Sequence, residues 1–261
     1  SIAGDVDAAE ILSHLELLVE DLKSRPLNRE PIPHEPHQFG SRRVRKEFAV
    51  PYSKLHLAWR LPCSAHPDTP GLSALSSILG GGRSARFYEK FHDRLGLVYS
   101  IEVHSNQSET DEGAFTISMD VDRAQRDKVR DLVLQELRNL AEEDFTEDLK
   151  RVCKQTRVSR LRRRGSASGV ASEMGADWFG SRNLNLSSEW QEAIERVTTE
   201  DLHRVCSTWL SSPNVTEVSL DPPGSNAGDE ERASASAGTA LSEHVLGNGM
   251  KVVIREDHRL P

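Results

Sequence analysis

The 261-residue chain is 36% hydrophobic, enough to bury a substantial core as one large domain or two small ones. Its formal net charge of -8 disfavours a general nucleic-acid binder, and no run of about 18 apolar residues is present that would cross a membrane as a helix. Cys63, Cys153 and Cys206 are odd in number and lack Cys-x-x-Cys spacing, so neither a disulfide framework nor a zinc ribbon is indicated and the compartment stays open.

Ser1 to Asp5 reads as the end of a strand entered partway along. Asp7 is then a helix N-cap with Glu10 three positions later, and Val6 and Ile11 stand at the positions of a hydrophobic staple. Ile11, Leu15, Leu18, Val19 and Leu22 predict one buried helical stripe. Four prolines between Arg25 and Gly40 predict an extended crossing loop. Two strands follow, the first alternating through Val44, Phe48 and Val50 and the second through Leu55, Leu57, Trp59 and Leu61, with Pro51 near the turn between them.

Between His66 and Ser100 two short helical runs meet at Gly80-Gly81-Gly82, and the second opens onto an alternating strand, Leu97, Tyr99, Ile101 and Val103. No Gly-Lys-Ser/Thr follows the glycines, so a tight turn between helices is favoured over a phosphate cradle. Leu97 to Val103 and Phe115 to Val121 predict an antiparallel pair joined by the polar run Ser105 to Gly113. Cover comes from a helix over Arg123 to Glu142, with Val129, Val133, Leu137 and Leu140 in register, and from a second helix with Thr146 as N-cap. Eight cations between Lys150 and Arg164 present a choice between a patch for phosphate or acidic peptide and a solvated or subunit-facing helix. Their spread over more than one face favours the latter, and the last three suit a helix C-terminus. A later helix begins at Thr198, with a near capping box to Asp201, a staple between Val197 and Leu202, and a stripe through Val205, Cys206 and Trp209. Val215 to Leu220 is the closing strand. The fold class is α+β, a mostly antiparallel sheet with helices packed on one face.

The order of a helix, a Gly-rich turn ending in Arg83-Ser84, a helix bearing Tyr88 and the strand Gly96-Leu97-Val98-Tyr99-Ser100 resembles the C-terminal half-domain of insulinase/pitrilysin-type zinc metallopeptidases, including mitochondrial-processing-peptidase-like proteins. The resemblance covers residues 1–220 as one inactive half-domain. Residues 221–240 have the composition of a flexible linker. Residues 241–261, with a tight Asn248-Gly249 turn, resemble the opening hairpin of a following N-type half-domain. Two strands alone cannot build a core, so the natural polypeptide is expected to extend beyond both ends.

The catalytic half of that family carries an inverted motif, His-x-x-Glu-His on a helix. No two of the ten histidines have that spacing with Glu between them. The nearest cluster, His34-Glu35-Pro36-His37, is interrupted by proline and reads as a solvated loop. The chain is therefore expected to hold no metal and no catalytic residue, and to be inactive alone, with zinc in a catalytic half of the same polypeptide or of a partner subunit. In active members the resemblance implies an Arg and a Tyr, seven residues apart, that hold substrate carbonyls across a chamber from the zinc. Tyr99 matches the Tyr, whereas His92 stands at the Arg position. Arg94 is two residues off, and on a helix it points roughly 200° from His92. His92 and Tyr99 are the candidate substrate-binding residues, and the alternative for Tyr99 is a core strand residue with its hydroxyl satisfied locally. The leading reading is a non-catalytic wall of a peptide chamber. The alternatives are a scaffold homologue with no peptidase activity and, more weakly, a basic-helix module for acidic partners.

Overall fold

The computed structural model describes residues 1–23, 36, 38–107, 112–211, 214–224, 241–245 and 251–255, the last two segments as backbone only. The His34–His37 cluster, the loop preceding it, residues 225–240 and the Asn248-Gly249 turn lie outside the described residues.

The centre is a five-stranded sheet in the order β1-β5-β2-β4-β3. The strands are β1 (Arg42–Glu47), β2 (Ser53–Leu61), β3 (Val98–Asn106), β4 (Gly113–Val121) and β5 (Thr216–Asp221). All neighbours are antiparallel except β1 and β5. The last strand thus enters between the first two, which are not neighbours, and Pro51 does not turn a hairpin. Strictly alternating apolar residues make β2 and β4 the core of the sheet. Leu55, Leu57, Trp59 and Leu61 on β2 and Phe115, Ile117, Met119 and Val121 on β4 are all at most 2% exposed. Pairing β2 with β4 puts Leu57 opposite Ile117 and Trp59 opposite Phe115 on one face.

Helices cover that face only. Thr69–Gly80 forms α2, with Pro70 in its first turn. Arg126–Asn139 forms α3, which buries Val129, Val133 and Leu137 at the expected spacing, with Leu140 buried just beyond it. Thr146–Arg164 forms α4; Thr146 is its first residue rather than its cap, and the Asp144 carboxylate accepts from the Thr146 N–H at 2.9 Å. Ala167–Ser181 (α5) and Leu186–Glu195 (α6) follow. Buried Asp177 of α5 accepts from the Ser187 N–H and hydroxyl at 3.1 and 2.6 Å, satisfying the opening of α6. Thr199–Val205 (α7) carries the Thr198/Asp201 capping box. Gly80 is where the helical layer touches β3: a Cβ there would lie 2.6 Å from the Val103 backbone nitrogen.

One expectation changes, and one strand is unusual. Helix α1 (Ala8–Val19) is capped by Asp7, whose carboxylate accepts from the Ala9 and Glu10 N–H groups, yet it buries none of its residues. Of the stripe, Ile11 is half-buried while Leu15, Leu18, Val19 and Leu22 are exposed. On β5 the half-buried residues Thr216, Val218 and Leu220 lie on the helix-free face. Glu217, Ser219 and Asp221 point under the helices instead. Arginines make this possible. Arg126 and Asp221, both fully buried, are ion-paired, and Ser53 donates to Asp221 at 2.5 Å. Glu217 receives Arg43 at 2.9 Å and Arg45 at 3.4 Å. Buried carboxylates are tolerated only with such partners.

The hairpin strands β6 (Leu241–Val245) and β7 (Lys251–Arg255) pair antiparallel as a separate two-stranded sheet.

Candidate functional site

The face of the sheet opposite the helices is polar. Its register sets out ranks of side chains across the strands: Lys46, Leu220, Lys54, Asp120 and Ser100 form one, and Val44, Val218, His56, Ser118 and Glu102 the next. A depression of about 350 Å³ lies here, lined chiefly by Lys54, His56, Ser100, Glu102, Ser118 and Asp120. Lys54 Nζ pairs with Asp120 Oδ1 at 2.9 Å, and His56 Nδ1 lies 2.7 Å from Ser118 Oγ. Burial of the His56 ring holds its pKa below the ordinary value of 6.5, so the imidazole is neutral at neutral pH. These groups present hydrogen-bond donors and acceptors of both charge signs to solvent.

Tyr99 stands at one end of this surface. The expected alternation Leu97, Tyr99, Ile101 is broken by a bulge: Val98 opposes Val121 and Ser100 opposes Asp120, leaving Tyr99 as the extra residue. Val98, Ile101 and Val103 are consequently buried, whereas Tyr99 is 53% exposed. This excludes the core reading of Tyr99. Its ring packs on Tyr52, with centroids 4.1 Å apart. Gly96, at φ +58°, supplies the left-handed residue that leads the chain into β3.

His92 lies on the π-helical segment Tyr88–Arg94, a wide turn of a kind often found at functional sites. Its ring stacks on Tyr88 at 4.4 Å, and Nδ1 is 2.7 Å from Asp93 Oδ1. Arg94 turns aside to Glu89 at 2.5 Å. His92 and Tyr99 share neither a hydrogen bond nor a ring contact; each is held by a different neighbour.

Half of the basic run of α4 is held in ion pairs. Arg160 reaches Glu173, Ser188 and Gln191 at 3.1, 2.5 and 3.3 Å, which ties α4 to α5 and α6, and Arg164 shares Glu173. Lys150 and Arg151 pair with Glu147 and Asp148. Cysteine chemistry is also disfavoured. Burial pushes the Cys206 thiol up to about 12 and raises that of Cys153, which leaves little thiolate at neutral pH. Among the described residues no group of three or more His, Cys, Asp or Glu is arranged to hold a metal ion. No helix among them is long and apolar enough to cross a membrane.

Residues 1–155 match the peptidase M16 inactive domain. The zinc protease PqqE of Helicobacter pylori is 23% identical over 229 residues, covering 85% of this chain and 50% of its own length. A protease structure from Helicobacter pylori superposes with a TM-score of 0.73 at 24% identity, over 84% of this chain and 54% of that one. The isolated inactive peptidase domain of a Bordetella parapertussis protein superposes at 0.58 with 18% identity, over 67% of this chain and 94% of that one. The chain therefore spans about half the length of the curated relatives it matches.

Proposed function

Because the chain belongs to the peptidase M16 inactive-domain family, we propose that it forms the non-catalytic wall of a substrate chamber in a larger zinc-dependent metalloendopeptidase. Its substrates are peptides or unfolded proteins. The observation that carries this reading is the helix-free sheet face, which presents hydrogen-bonding side chains around a depression with an exposed tyrosine hydroxyl at its end. A wall of this kind acts by orientation. Tyr99 donates from its hydroxyl to a peptide carbonyl, His92 contributes a second, weaker contact than an arginine fork would, and Ser118, His56 and Glu102 receive side chains.

Zinc belongs to the catalytic half in this proposal. The described residues here do not fit it, and no chemical step passes through this chain. Residues 221–240 are proposed to join the half-domain to the repeat that opens at 241.

The test is kinetic. In the complete zinc-bearing protein, Tyr99→Phe lowers kcat/KM by roughly 2- to 12-fold, the loss of one neutral hydrogen bond of about 0.5–1.5 kcal/mol. His92→Arg leaves kcat/KM unchanged or raises it, and neither change shifts the melting temperature. A complete protein that cleaves no peptide supports the scaffold alternative instead. Unaltered kinetics in Tyr99→Phe overturn the role given to that hydroxyl.

A further inference from the structure

Helix α1 is amphipathic with its apolar side facing water. Ile11, Leu12, Leu15, Leu18 and Val19 fall within an arc of roughly 120° at 100° per residue, and Leu22 lies just beyond the helix. Leu12, Leu15, Leu18, Val19 and Leu22 are 59, 39, 78, 46 and 74% exposed. Glu10, Glu16 and the capping Glu20 occupy the other side, together with Leu17, itself 71% exposed. A 12-residue helix is marginal alone and is normally held by packing of its apolar stripe. Here the flanking chain is tied to the helical layer by Ser1, whose hydroxyl donates to the Ala171 carbonyl at 2.5 Å, while the stripe itself covers nothing.

We infer that α1 is not part of this half-domain's own core and that its stripe seats in the apolar core of the catalytic half. The inference rests on the chamber reading above. Three observations select that occupant. The curated relative is twice as long as the stretch it shares with this chain, so a second half of similar size is available to cover the stripe. The sheet and its helices are complete without α1, since none of the buried core residues precedes Ser53. The acidic opposite side disfavours an anionic lipid surface. The sheet and core of this half-domain accordingly begin at β1 rather than at residue 1, although the match to the inactive-domain family runs from residue 1.

The test compares the chain with a triple variant, Leu12→Glu, Leu15→Glu and Val19→Glu. Thermal melting of each is followed by sedimentation with the separately produced zinc-bearing half. The expected result is a melting temperature within about 2 °C of the unaltered chain, because the changed positions are solvent-exposed, together with at least a tenfold weaker association with the zinc-bearing half. A fall of about 10 °C or more places α1 in this core and overturns the inference. So does self-association of the unaltered chain that the variant abolishes, which makes a second copy the occupant. If both chains bind the zinc-bearing half equally, only the assignment of α1 fails. If the unaltered chain does not bind it, the chamber reading fails as well.

Discussion

The two faces of the central sheet are built from the same strands and differ only in the parity of their residues. On β2 and β4 the odd-numbered positions from Leu55 to Leu61 and from Phe115 to Val121 are apolar and sealed under helices. The even-numbered positions, Lys54, His56, Thr116, Ser118 and Asp120, face away from the helices and are hydrogen-bonded or only partly covered. Stability and recognition are thereby separated at one-residue resolution. A substitution on one face is expected to act on folding, and on its neighbour in sequence to act on binding.

The largest effect belongs to the sealed face. Phe115→Ala is expected to cost about 3–5 kcal/mol in a denaturant titration, while adjacent Thr116→Ala stays within about 0.5 kcal/mol. Equal losses would break the comparison. Next comes the polar exception beneath the helices. Arg126→Met alone leaves buried Asp221 with only the more distant Arg123, at 4.0 Å, as an ion-pair partner and is expected to cost on the order of 3 kcal/mol. Arg126→Met combined with Asp221→Leu is expected to recover most of that loss in the same titration.

That exception also marks the limit of what the sequence discloses. Period-two apolar runs made β2 and β4 legible, and the spacing of Val129, Val133, Leu137 and Leu140 made α3 legible. Both patterns report side chains that share one water-excluding surface. On β5 the apolar residues Val218 and Leu220 also alternate, yet they are not the buried ones. The structure turns them outward because five arginines and Ser53, distant in sequence, surround Glu217 and Asp221, a pairing that no local pattern announces. Tyr99 shows a second limit, since one extra residue in β3 reverses the side it faces. Asp7 shows a third. Its cap is local and was readable, but whether the helix it opens is covered depends on chain that the local pattern does not contain. Of the candidate site, Tyr99 and His92 were reached through family resemblance, while the Lys54, His56, Ser118 and Asp120 surface was signalled only by polar residues at alternate strand positions.

Smaller effects test the helical layer and the open face by pH. Burial alone would raise the Asp68 pKa, but hydrogen bonds from Arg204 and Trp209, with the charges of Arg204 and His66, hold it below the ordinary value. The folded state therefore favours the carboxylate. Its contribution is fully present above the unfolded pKa of about 3.9 and is lost as pH falls through the lower folded value. Asp68→Asn is expected to cost about 1–3 kcal/mol at pH 7, with the gap from the unaltered chain closing below about pH 4. A gap independent of pH would show that the carboxylate charge is not what ties Asp68 to Arg204 and Trp209. For His56 the sign differs. The folded state favours the neutral ring, so the unfolded chain takes up the proton first as pH falls below about 6.5, and stability declines. His56→Gln should flatten the change in denaturation midpoint between pH 7.5 and 5.5, and an unchanged slope would contradict a partly buried neutral imidazole.

The central claim is that the helix-free face meets the peptide. Its most direct test places a photo-crosslinking residue at Glu102 on β3, or at Arg138 near the end of α3 on the helical side, in the complete zinc-bearing protein supplied with an unfolded peptide substrate. The account predicts capture of the peptide from position 102 and little or none from position 138. Capture from position 138, with none from position 102, would contradict it.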